Sequence, residues 1–364
     1  FETIEQSISE RFELIAGKFP DHQAISDHEG TLTYSELNRM ANILAMKLSD
    51  KPAPQRQVAV FLSYGKKQFI AIMGILKAGF AYVPIDTAWP AHRIAYTLKD
   101  SGASAIITDY ENQGQVRALA GASRIINIDE PDLSGDPGNP AVKPKPDDVI
   151  HILYTSGSTA DPKGVYSSHR NQMHFVKRFT EYINITPADT FAYYFSLGFS
   201  AHAMPSLGIL LNGGTLVMYD LKKRGFPGLD DFFQEKGVTI CLMIPSVLRH
   251  FRSTLKEGFK FRKLRTLLIG GETLYFSDIK QIRPFLRKNT EIINIYASTE
   301  LFLACAYRIR QETILKQNII PIGFPVDGMQ IDIMDGNGNV CKTGEIGEMS
   351  ISSRYTALGY WNNP

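Results

Sequence analysis

The sequence predicts an α/β fold with two βαβ subdomains, in which helices cover mostly parallel sheets, followed by a small β-barrel-like subdomain. Short apolar runs alternate with amphipathic helical segments, and this alternation is typical of parallel sheets covered by helices. It runs through residues 1–185 and again, with unrelated sequence, through 186–315. From 316 to 364 the apolar period changes to two around a turn at 335–338, which indicates an antiparallel hairpin.

The first subdomain begins with an amphipathic helix over residues 2–17 and a short strand that runs into a helix ending near Leu48, for which Ser35 is a candidate N-cap. The segments that follow alternate between buried strands and amphipathic helices. The strands are expected at 57–64, 81–86, 105–108, 124–128 and 149–153, with helices at 66–77 and from Pro90. The proline- and glycine-rich stretch 129–148 is expected to be a surface connector.

The second subdomain repeats this rhythm after a helix at 169–183. Apolar runs of four to six residues again mark buried strands, and longer amphipathic segments mark the helices between them. The strands are expected at 215–218, 238–243, 264–269 and 292–296, with helices at 227–236 and 246–255.

Composition limits the possible classes of protein. The chain has 364 residues, of which 44% are hydrophobic, so a large core can form and wholesale disorder is excluded. The 39 basic and 37 acidic residues leave a formal charge of +2, which does not indicate nucleic-acid binding. We expect neither a membrane span nor a signal peptide. Cys241, Cys305 and Cys341 show no metal-ligand spacing or disulfide framework, which indicates a reduced, cytoplasmic setting.

The stretch 154–164 has the composition of a polyphosphate-binding loop. It follows a buried strand and concentrates small and hydroxyl-bearing residues, and Lys163 adds a compact positive charge. Backbone N–H groups in such a loop can form an anion-binding nest. A P-loop is excluded, because Lys163 precedes Gly164 and Val165 follows, whereas that motif has a lysine and then a hydroxyl residue after its second glycine. The alternative is a polar surface loop.

A second polar cluster follows the strand expected at 292–296. Tyr296 offers a flat face to a purine, Thr299 a hydroxyl to a phosphate and Glu300 a hard oxygen ligand for Mg²⁺. Taken alone, this stretch is equally compatible with a strand end that has a buried tyrosine and a surface glutamate. The turn at 270–272 ends another predicted strand, and strand ends are where open α/β sheets bind ligands.

In their order along the chain, these stretches resemble the signatures of adenylate-forming enzymes, the superfamily of acyl-CoA synthetases, luciferases and nonribosomal peptide synthetase adenylation domains. The patterns T-S-G-S-T-G-x-P-K-G and N-x-Y-G-x-T-E are matched except at Ala160 and Ala297, which replace glycines. Stretches at 32–37, 76–86, 344–351 and 359–360 are similar to further family motifs. The resemblance implies the large N-terminal core of an adenylation domain, without the C-terminal lid and its catalytic lysine, and therefore incomplete for full activity.

The resemblance also implies a reaction. A carboxylic acid and ATP would give an acyl-adenylate and pyrophosphate, and the acyl group would pass to the phosphopantetheine thiol of a carrier protein domain, with further synthetase domains in the same polypeptide. Thr159, Lys163 and Glu300 would be catalytic, and Glu300 would bind Mg²⁺. Tyr296 and Gly271 would flank adenine. The implied ATP-binding residues are Thr155, Ser156, Gly157, Ser158, Thr159, Lys163, Gly270, Gly271, Glu272, Asn294, Tyr296, Ala297 and Thr299.

The substrate pocket departs from the family pattern at one informative position. Relatives that activate α-amino acids have an aspartate after the phenylalanine that matches Phe199, and its carboxylate pairs with the substrate ammonium, but this chain has Ser200. A buried ammonium without an ionised partner is costly. The hypothesis is therefore a hydroxy, keto, aryl or aliphatic acid, or a β-amino acid held differently, unless another residue supplies the counter-charge. The implied substrate-binding residues are Phe199, Ser200, Ala201, Met204, Ser246, Leu268, Gly270, Ile295, Leu303 and Ala304.

Two other functions stay open at this stage. A stand-alone acyl-CoA ligase would use the same chemistry with coenzyme A as the acceptor. A degenerate, non-catalytic nucleotide-binding module is suggested by Ala160 and Ala297, because both stand where the family has glycine. His202, next to the predicted pocket, is expected to contribute to packing rather than to catalysis.

Overall fold

The computed structural model has the predicted α/β architecture. It describes residues 3–50, 55–121, 123–130, 135, 137–155, 161–310, 313 and 318–363. The helices of this part of the chain are α1 (Ile8–Lys18), α2 (Tyr34–Ser49), α3 (Lys67–Lys77), α4 (Ala91–Ser101), α5 (Gln113–Leu119), α6 (His169–Ile183), α7 (Ala203–Leu210), α8 (Leu221–Arg224), α9 (Leu229–Glu235), α10 (Pro245–Thr254) and α11 (Phe276–Ile282).

Two large sheets and one small sheet contain the strands. The nine-stranded sheet contains β1 (Gln23–Asp27), β2 (Gly30–Thr33), β9 (Thr190–Tyr193), β10 (Thr215–Met218), β11 (Ile240–Met243), β12 (Thr266–Gly270), β13 (Glu291–Ser298), β14 (Phe302–Ile309) and β15 (Phe324–Pro325). The seven-stranded sheet contains β3 (Gln57–Phe61), β4 (Ala81–Pro84), β5 (Ala105–Thr108), β6 (Arg124–Asn127), β7 (Val149–Thr155), β8 (Lys163–Ser168) and β18 (Gly359–Tyr360). The small sheet contains β16 (Gln330–Met334) and β17 (Glu348–Ser352).

Both large sheets are parallel over most of their width, with antiparallel pairs at one end of the seven-stranded sheet and at both ends of the nine-stranded sheet. The seven-stranded sheet has the order β18-β8-β7-β4-β3-β5-β6, and β7–β8 and β8–β18 are its antiparallel pairs. The nine-stranded sheet has the order β15-β14-β13-β12-β11-β9-β10-β1-β2, with antiparallel pairs at both ends. The antiparallel hairpin expected in the C-terminal part is present as β16–β17, which are paired from Gln330–Ser352 to Met334–Glu348.

The sheets do not follow the order of the chain. Strands β1 and β2, near the N-terminus, join the nine-stranded sheet because Ile25 is paired with Leu216 of β10. Strand β18, near the C-terminus, joins the seven-stranded sheet through Gly359 and Tyr166. The division of the chain at about residues 185 and 316 therefore stays a prediction. The nine-stranded sheet takes strands from all three predicted subdomains, and the seven-stranded sheet takes strands from the first and the third.

Helices α2, α3, α6 and α7 lie between the two large sheets. Their buried residues, among them Leu44, Phe69 and Phe179, form one core cluster with Val60 of the seven-stranded sheet and Phe191 of the nine-stranded sheet. Helices α4 and α5 cover the outer face of the seven-stranded sheet, and α9, α10 and α11 cover the outer face of the other. Among the described residues, no helix has the length and apolar character needed to cross a bilayer.

Local sequence explains where the main helices begin. Thr33, in extended conformation, is the N-cap of α2: its hydroxyl accepts from the Glu36 backbone N at 3.2 Å, and the Glu36 carboxylate accepts from the Thr33 backbone N at 2.7 Å. The prediction of Ser35 as the cap was wrong, because the extended residue that precedes the first turn is Thr33. Ser168 caps α6 in the same way, with Asn171 as its partner.

Asp189 is buried where β9 begins, and it connects three segments of the nine-stranded sheet. Its carboxylate accepts hydrogen bonds from Nε and Nη2 of Arg265 at 2.7 and 2.8 Å, from the Thr239 hydroxyl at 2.7 Å and from the Thr186 backbone N at 2.9 Å. Burial raises the pKa of Asp189, but these donors outweigh burial and hold the pKa below its usual value.

We expect Asp189→Asn to lower the free energy of unfolding by about 3 kcal/mol at neutral pH, because Arg265 loses its charged partner. Since the folded-state pKa lies below the unfolded-state value, the carboxylate stabilises fully above about pH 4, and this contribution is lost as the pH falls through the folded-state pKa. Urea titration at several pH values measures both effects, and the acid-induced loss should be smaller in the variant.

Glu181→Gln is the matched control. Glu181 is an exposed carboxylate that faces Lys177 at 3.9 Å on the surface of α6. Removing this charge should change the free energy of unfolding by less than about 0.5 kcal/mol. Equal losses of stability in the two variants would contradict the assignment of Asp189 as a structural anchor.

Candidate active site

A cavity of about 500 Å³ opens where strands of the two large sheets end close together. Thr155, at the end of β7, and Gly270, at the end of β12, both line it. Strand ends of parallel sheets are the usual place for ligands in α/β proteins, because side chains and loops converge there. The predicted site residues that line the cavity are Thr155, Lys163, Phe199, Ser200, Ala201, Met204, Gly270, Gly271, Ile295, Ala297, Thr299 and Glu300.

Some predicted residues lie elsewhere. Ser156, Gly157, Ser158, Thr159 and Ala160 fall outside the described residues. Leu268, Leu303 and Ala304 are buried but do not line the cavity. Ser246 and Glu272 bind each other instead, since the Ser246 hydroxyl donates to Glu272 Oε1 at 2.7 Å.

Strand β13 divides its side chains between two faces. Ile295 and Ala297 line the cavity, whereas Asn294 is buried and donates to the Pro321 carbonyl at 2.8 Å. Tyr296 is 36% exposed and does not line the cavity. The alternation follows from the period of two in a strand. The predicted role of Tyr296 against adenine therefore stays a prediction.

Several lining residues were missed by the sequence analysis: Phe195, Leu242, Ile244, Ser298, Phe302 and Tyr360. Leu242 lies four positions before Ser246, at a strand end that was recognised, so its place in the strand period could have indicated it. Tyr360 was noted only as part of a motif. Its partner Glu300 is 60 positions away in sequence, and no local pattern relates the two.

The charged end of the cavity contains Lys163, Glu300 and Tyr360. Lys163 begins β8 and is paired with Thr155 of β7, while Glu300 lies in the turn between β13 and β14. The Tyr360 hydroxyl donates to Glu300 Oε1 at 3.0 Å, and this hydrogen bond raises the pKa of Tyr360. Lys163 Nζ lies 5.4 Å from the centroid of the Tyr360 ring. These groups can hold anions and a hard cation close together.

The rest of the cavity lining is mainly apolar. Phe195, Met204 and Leu242 form part of its wall, and Ser200 begins the short 3₁₀ turn that leads into α7. The Ser200 hydroxyl oxygen accepts a hydrogen bond from the Thr299 hydroxyl at 2.8 Å. Among the described residues that line the cavity, the one carboxylate is Glu300, which lies at the charged end.

His202 lies behind this wall, where it positions the backbone. It is fully buried, and its two ring nitrogens are within hydrogen-bond distance of the Phe199 carbonyl at 3.0 Å and the Tyr82 hydroxyl at 3.3 Å. Burial lowers its pKa to about 4, so the ring is neutral near pH 7.

Phe302, which also lines the cavity, has a φ of 53°, a left-handed conformation that is uncommon for a bulky residue. Its ring packs against the Phe175 ring, with 4.5 Å between the two centroids.

Glu300 can bind Mg²⁺ where a nucleotide supplies further ligands to the metal. Within the described ranges, no group of three or more His, Cys, Asp or Glu side chains could hold a metal ion alone. Mg²⁺ at nucleotide sites is usually bound by one or two carboxylates together with phosphates. Glu300 Oε1 is occupied by Tyr360, and Oε2 accepts no hydrogen bond from the described residues. Glu300 can therefore bind the metal together with a nucleotide.

The fold and the cavity define an α/β protein with a ligand-sized cavity at the carboxyl ends of its strands. The sequence model of the AMP-binding enzyme family matches residues 12–361, which is nearly the whole chain. The chain belongs to the AMP-binding enzyme family.

Peptide synthetases are similar to this chain over nearly its whole length. Bacitracin synthase 2 of Bacillus licheniformis is 32% identical over 362 residues, which are 98% of this chain and 13% of that protein. Tyrocidine synthase 1 of Brevibacillus parabrevis is 30% identical, and the match covers 99% of this chain and 32% of that protein. The chain thus spans a minor part of the length of these relatives.

Solved structures share this fold. The nonribosomal peptide synthetase FmoA3 has a TM-score of 0.92 and 26% identity, covering 99% of this chain and 39% of that one, and it is also known in AMPPNP-bound and α-methyl-L-serine-AMP-bound forms. The N-terminal subdomain of Klebsiella oxytoca NpsA, in complex with 3-hydroxybenzoyl-AMSN, has a TM-score of 0.82 and 22% identity. The match covers 98% of this chain and 89% of that one.

Close packing at the cavity wall leaves no room for a side chain at position 270, so glycine is required there. A Cβ atom at this position would lie 2.5 Å from both Cγ1 and the carbonyl oxygen of Ile295. We expect Gly270→Ala to lower the free energy of unfolding by about 2 kcal/mol, because β12 and β13 would have to separate. Urea titration measures this loss.

Gly114→Ala is the control for this experiment. Gly114 lies inside α5, and a Cβ there would meet no atom within 4 Å. This variant should be neutral or slightly stabilising, since alanine favours the helix by about 1 kcal/mol. A Gly270→Ala variant as stable as Gly114→Ala would show that the strand contact is not tight.

Proposed function

We propose that this chain activates a carboxylic acid with ATP, giving an acyl-adenylate and pyrophosphate. The observation that carries the proposal is one continuous cavity that is lined both by apolar side chains, among them Met204 and Leu242, and by the charged residues Lys163 and Glu300. The apolar lining suits an acyl group, and the charged residues suit a triphosphate with its metal. Family membership, and the AMPPNP-bound and acyl-AMP-bound forms of FmoA3, support the use of ATP.

In the proposed reaction a carboxylate oxygen attacks the α-phosphorus of ATP, the bond from this phosphorus to the bridging oxygen breaks, and pyrophosphate leaves. Lys163 attracts the phosphates. Its strand pairing with Thr155 fixes the position of Lys163 at the end of the β7–β8 hairpin. Glu300 would hold Mg²⁺, and the metal would supply positive charge beside the phosphates. Thr159 and its neighbours stay predicted phosphate ligands. Catalysis here is mainly positioning and charge stabilisation.

The substrate is proposed not to be an ordinary α-amino acid. Ser200 is neutral, and its oxygen already accepts a hydrogen bond from Thr299. A substrate ammonium beside Ser200 would be desolvated without an ionised partner of its own, because Glu300, the one carboxylate among the described lining residues, accepts a hydrogen bond from Tyr360 and is proposed to bind Mg²⁺. A hydroxy, keto, aryl or aliphatic acid avoids this cost, and so does a β-amino acid that places its ammonium elsewhere.

The proposed acceptor is the phosphopantetheine thiol of a carrier protein domain in a longer synthetase. The peptide synthetases similar to this chain are several times longer than it, which supports further domains. Coenzyme A is the alternative acceptor. The proposal includes a cytoplasmic setting, with which the free thiols of Cys241, Cys305 and Cys341 agree.

ATP–pyrophosphate exchange tests the proposal on the intact protein that contains this chain. We expect exchange with a pool of non-α-amino acids that exceeds exchange with a pool of α-amino acids. Strong exchange with α-amino acids alone would retain the adenylation chemistry and overturn the pocket interpretation. ATP binding without exchange in any pool would favour the non-catalytic module suggested by Ala297.

Ser200→Asp tests the pocket interpretation directly. The new carboxylate can accept the Thr299 hydrogen bond and pair with an ammonium, so exchange with α-amino acids should rise about tenfold or more. Ser200→Ala is the matched control, since it removes the hydroxyl without adding charge, and it should show no such gain. No rise in Ser200→Asp, with the fold retained, would contradict the role given to this position.

A further inference from the structure

Tyr360 is held in the cavity by backbone pairing. Strand β18 pairs with β8 through Gly359–Tyr166 and Tyr360–Val165, and the Trp361 backbone N donates to the Gly164 carbonyl at 2.6 Å. The Trp361 ring packs against the Tyr166 ring, with 5.4 Å between centroids. The segment 357–362 is therefore attached to the hairpin that contains Lys163.

The same segment is attached to the Glu300 turn. The Ala357 backbone N donates to the Glu300 carbonyl at 2.8 Å, and the Tyr360 hydroxyl donates to the Glu300 carboxylate at 3.0 Å. The face of the Tyr360 ring lies toward Lys163, whose Nζ is 5.4 Å from the ring centroid. One side chain thus contacts both charged residues of the cavity, its hydroxyl the anion and its ring the cation.

The two opposite charges do not pair directly. Lys163 and Glu300 form no ion pair within 4.0 Å among the described residues, although both line the same cavity. A direct pair would neutralise each charge and compete with phosphate and metal. Instead, Lys163 makes a cation–π contact with the Tyr360 ring, and Glu300 Oε1 accepts a hydrogen bond from the Tyr360 hydroxyl. Glu300 Oε2 accepts no hydrogen bond from the described residues and can bind a metal.

We propose that Tyr360 is a positioning residue that prepares Lys163 and Glu300 for the metal-bound nucleotide and prevents their mutual pairing. The inference rests on the proposed function, because it assumes that the ligand is ATP with Mg²⁺. The hydroxyl and the ring have separate tasks. The hydroxyl orients the carboxylate that binds the metal, and the ring orients the ammonium group that binds phosphate.

The test measures ATP binding to the intact protein by calorimetry, with Mg²⁺ and with excess chelator. Tyr360→Phe removes the hydroxyl and retains the ring, so affinity for ATP with Mg²⁺ should fall about tenfold while affinity for metal-free ATP stays unchanged. Tyr360→Leu removes both groups, so affinity for metal-free ATP should also fall. Tyr110→Phe is the matched control, since Tyr110 is 60% exposed and remote from the cavity, and both affinities should stay at wild-type values.

A double variant separates this role from a general effect on folding. If Tyr360 acts through Glu300, adding Tyr360→Phe to Glu300→Gln should cause no further loss of affinity for ATP with Mg²⁺. Equal losses in both backgrounds, or a Tyr360→Phe variant that binds ATP with Mg²⁺ as tightly as the wild type, would overturn the inference. The wild-type protein could lack pyrophosphate exchange while the Tyr360 variants show the expected changes in ATP affinity. This result would overturn the proposed function and retain the positioning role of Tyr360.

Discussion

The central constraint in this structure is the apolar layer of helices α2, α3, α6 and α7, which packs against both large sheets at once. Phe69 and Phe179 belong to a core cluster that includes strand residues of both sheets. Burial of this layer fixes one sheet against the other, so the ends of β7, β12 and β13 meet at one cavity. No single sheet contains all of the groups that the proposed chemistry needs.

Antiparallel strands at the sheet edges add the charged groups. Pairing of β7 with β8 places Lys163 opposite Thr155. Pairing of β13 with β14 creates the turn that contains Thr299 and Glu300. Strand β18 then joins the first hairpin and contacts the second through Tyr360. The proposed division between an apolar acyl end and a charged nucleotide end follows from these three pairings.

Sequence patterns predicted the strand–helix order and the groups at the strand ends, because period and loop composition are local properties. They could not predict the partners of a strand. Strand β1 pairs with β10 at Ile25 and Leu216, and Tyr360 reaches Glu300 from a distant segment. The pocket wall was predicted in part. Ser200 and Met204 line the cavity as expected, whereas Ser246 does not line it and Leu242, which was not predicted, does. Such details depend on tertiary packing, which no local pattern contains.

The most direct test of the central claim follows the oxygen atoms of the substrate. The intact protein would be given ATP, an acid labelled with ¹⁸O in its carboxylate, and hydroxylamine to capture the acyl group. Attack of the carboxylate on the α-phosphorus predicts an ¹⁸O atom in the released AMP, because the bridging oxygen stays with phosphorus when the acyl group leaves. Unlabelled AMP, or ¹⁸O in pyrophosphate or inorganic phosphate, would contradict an acyl-adenylate.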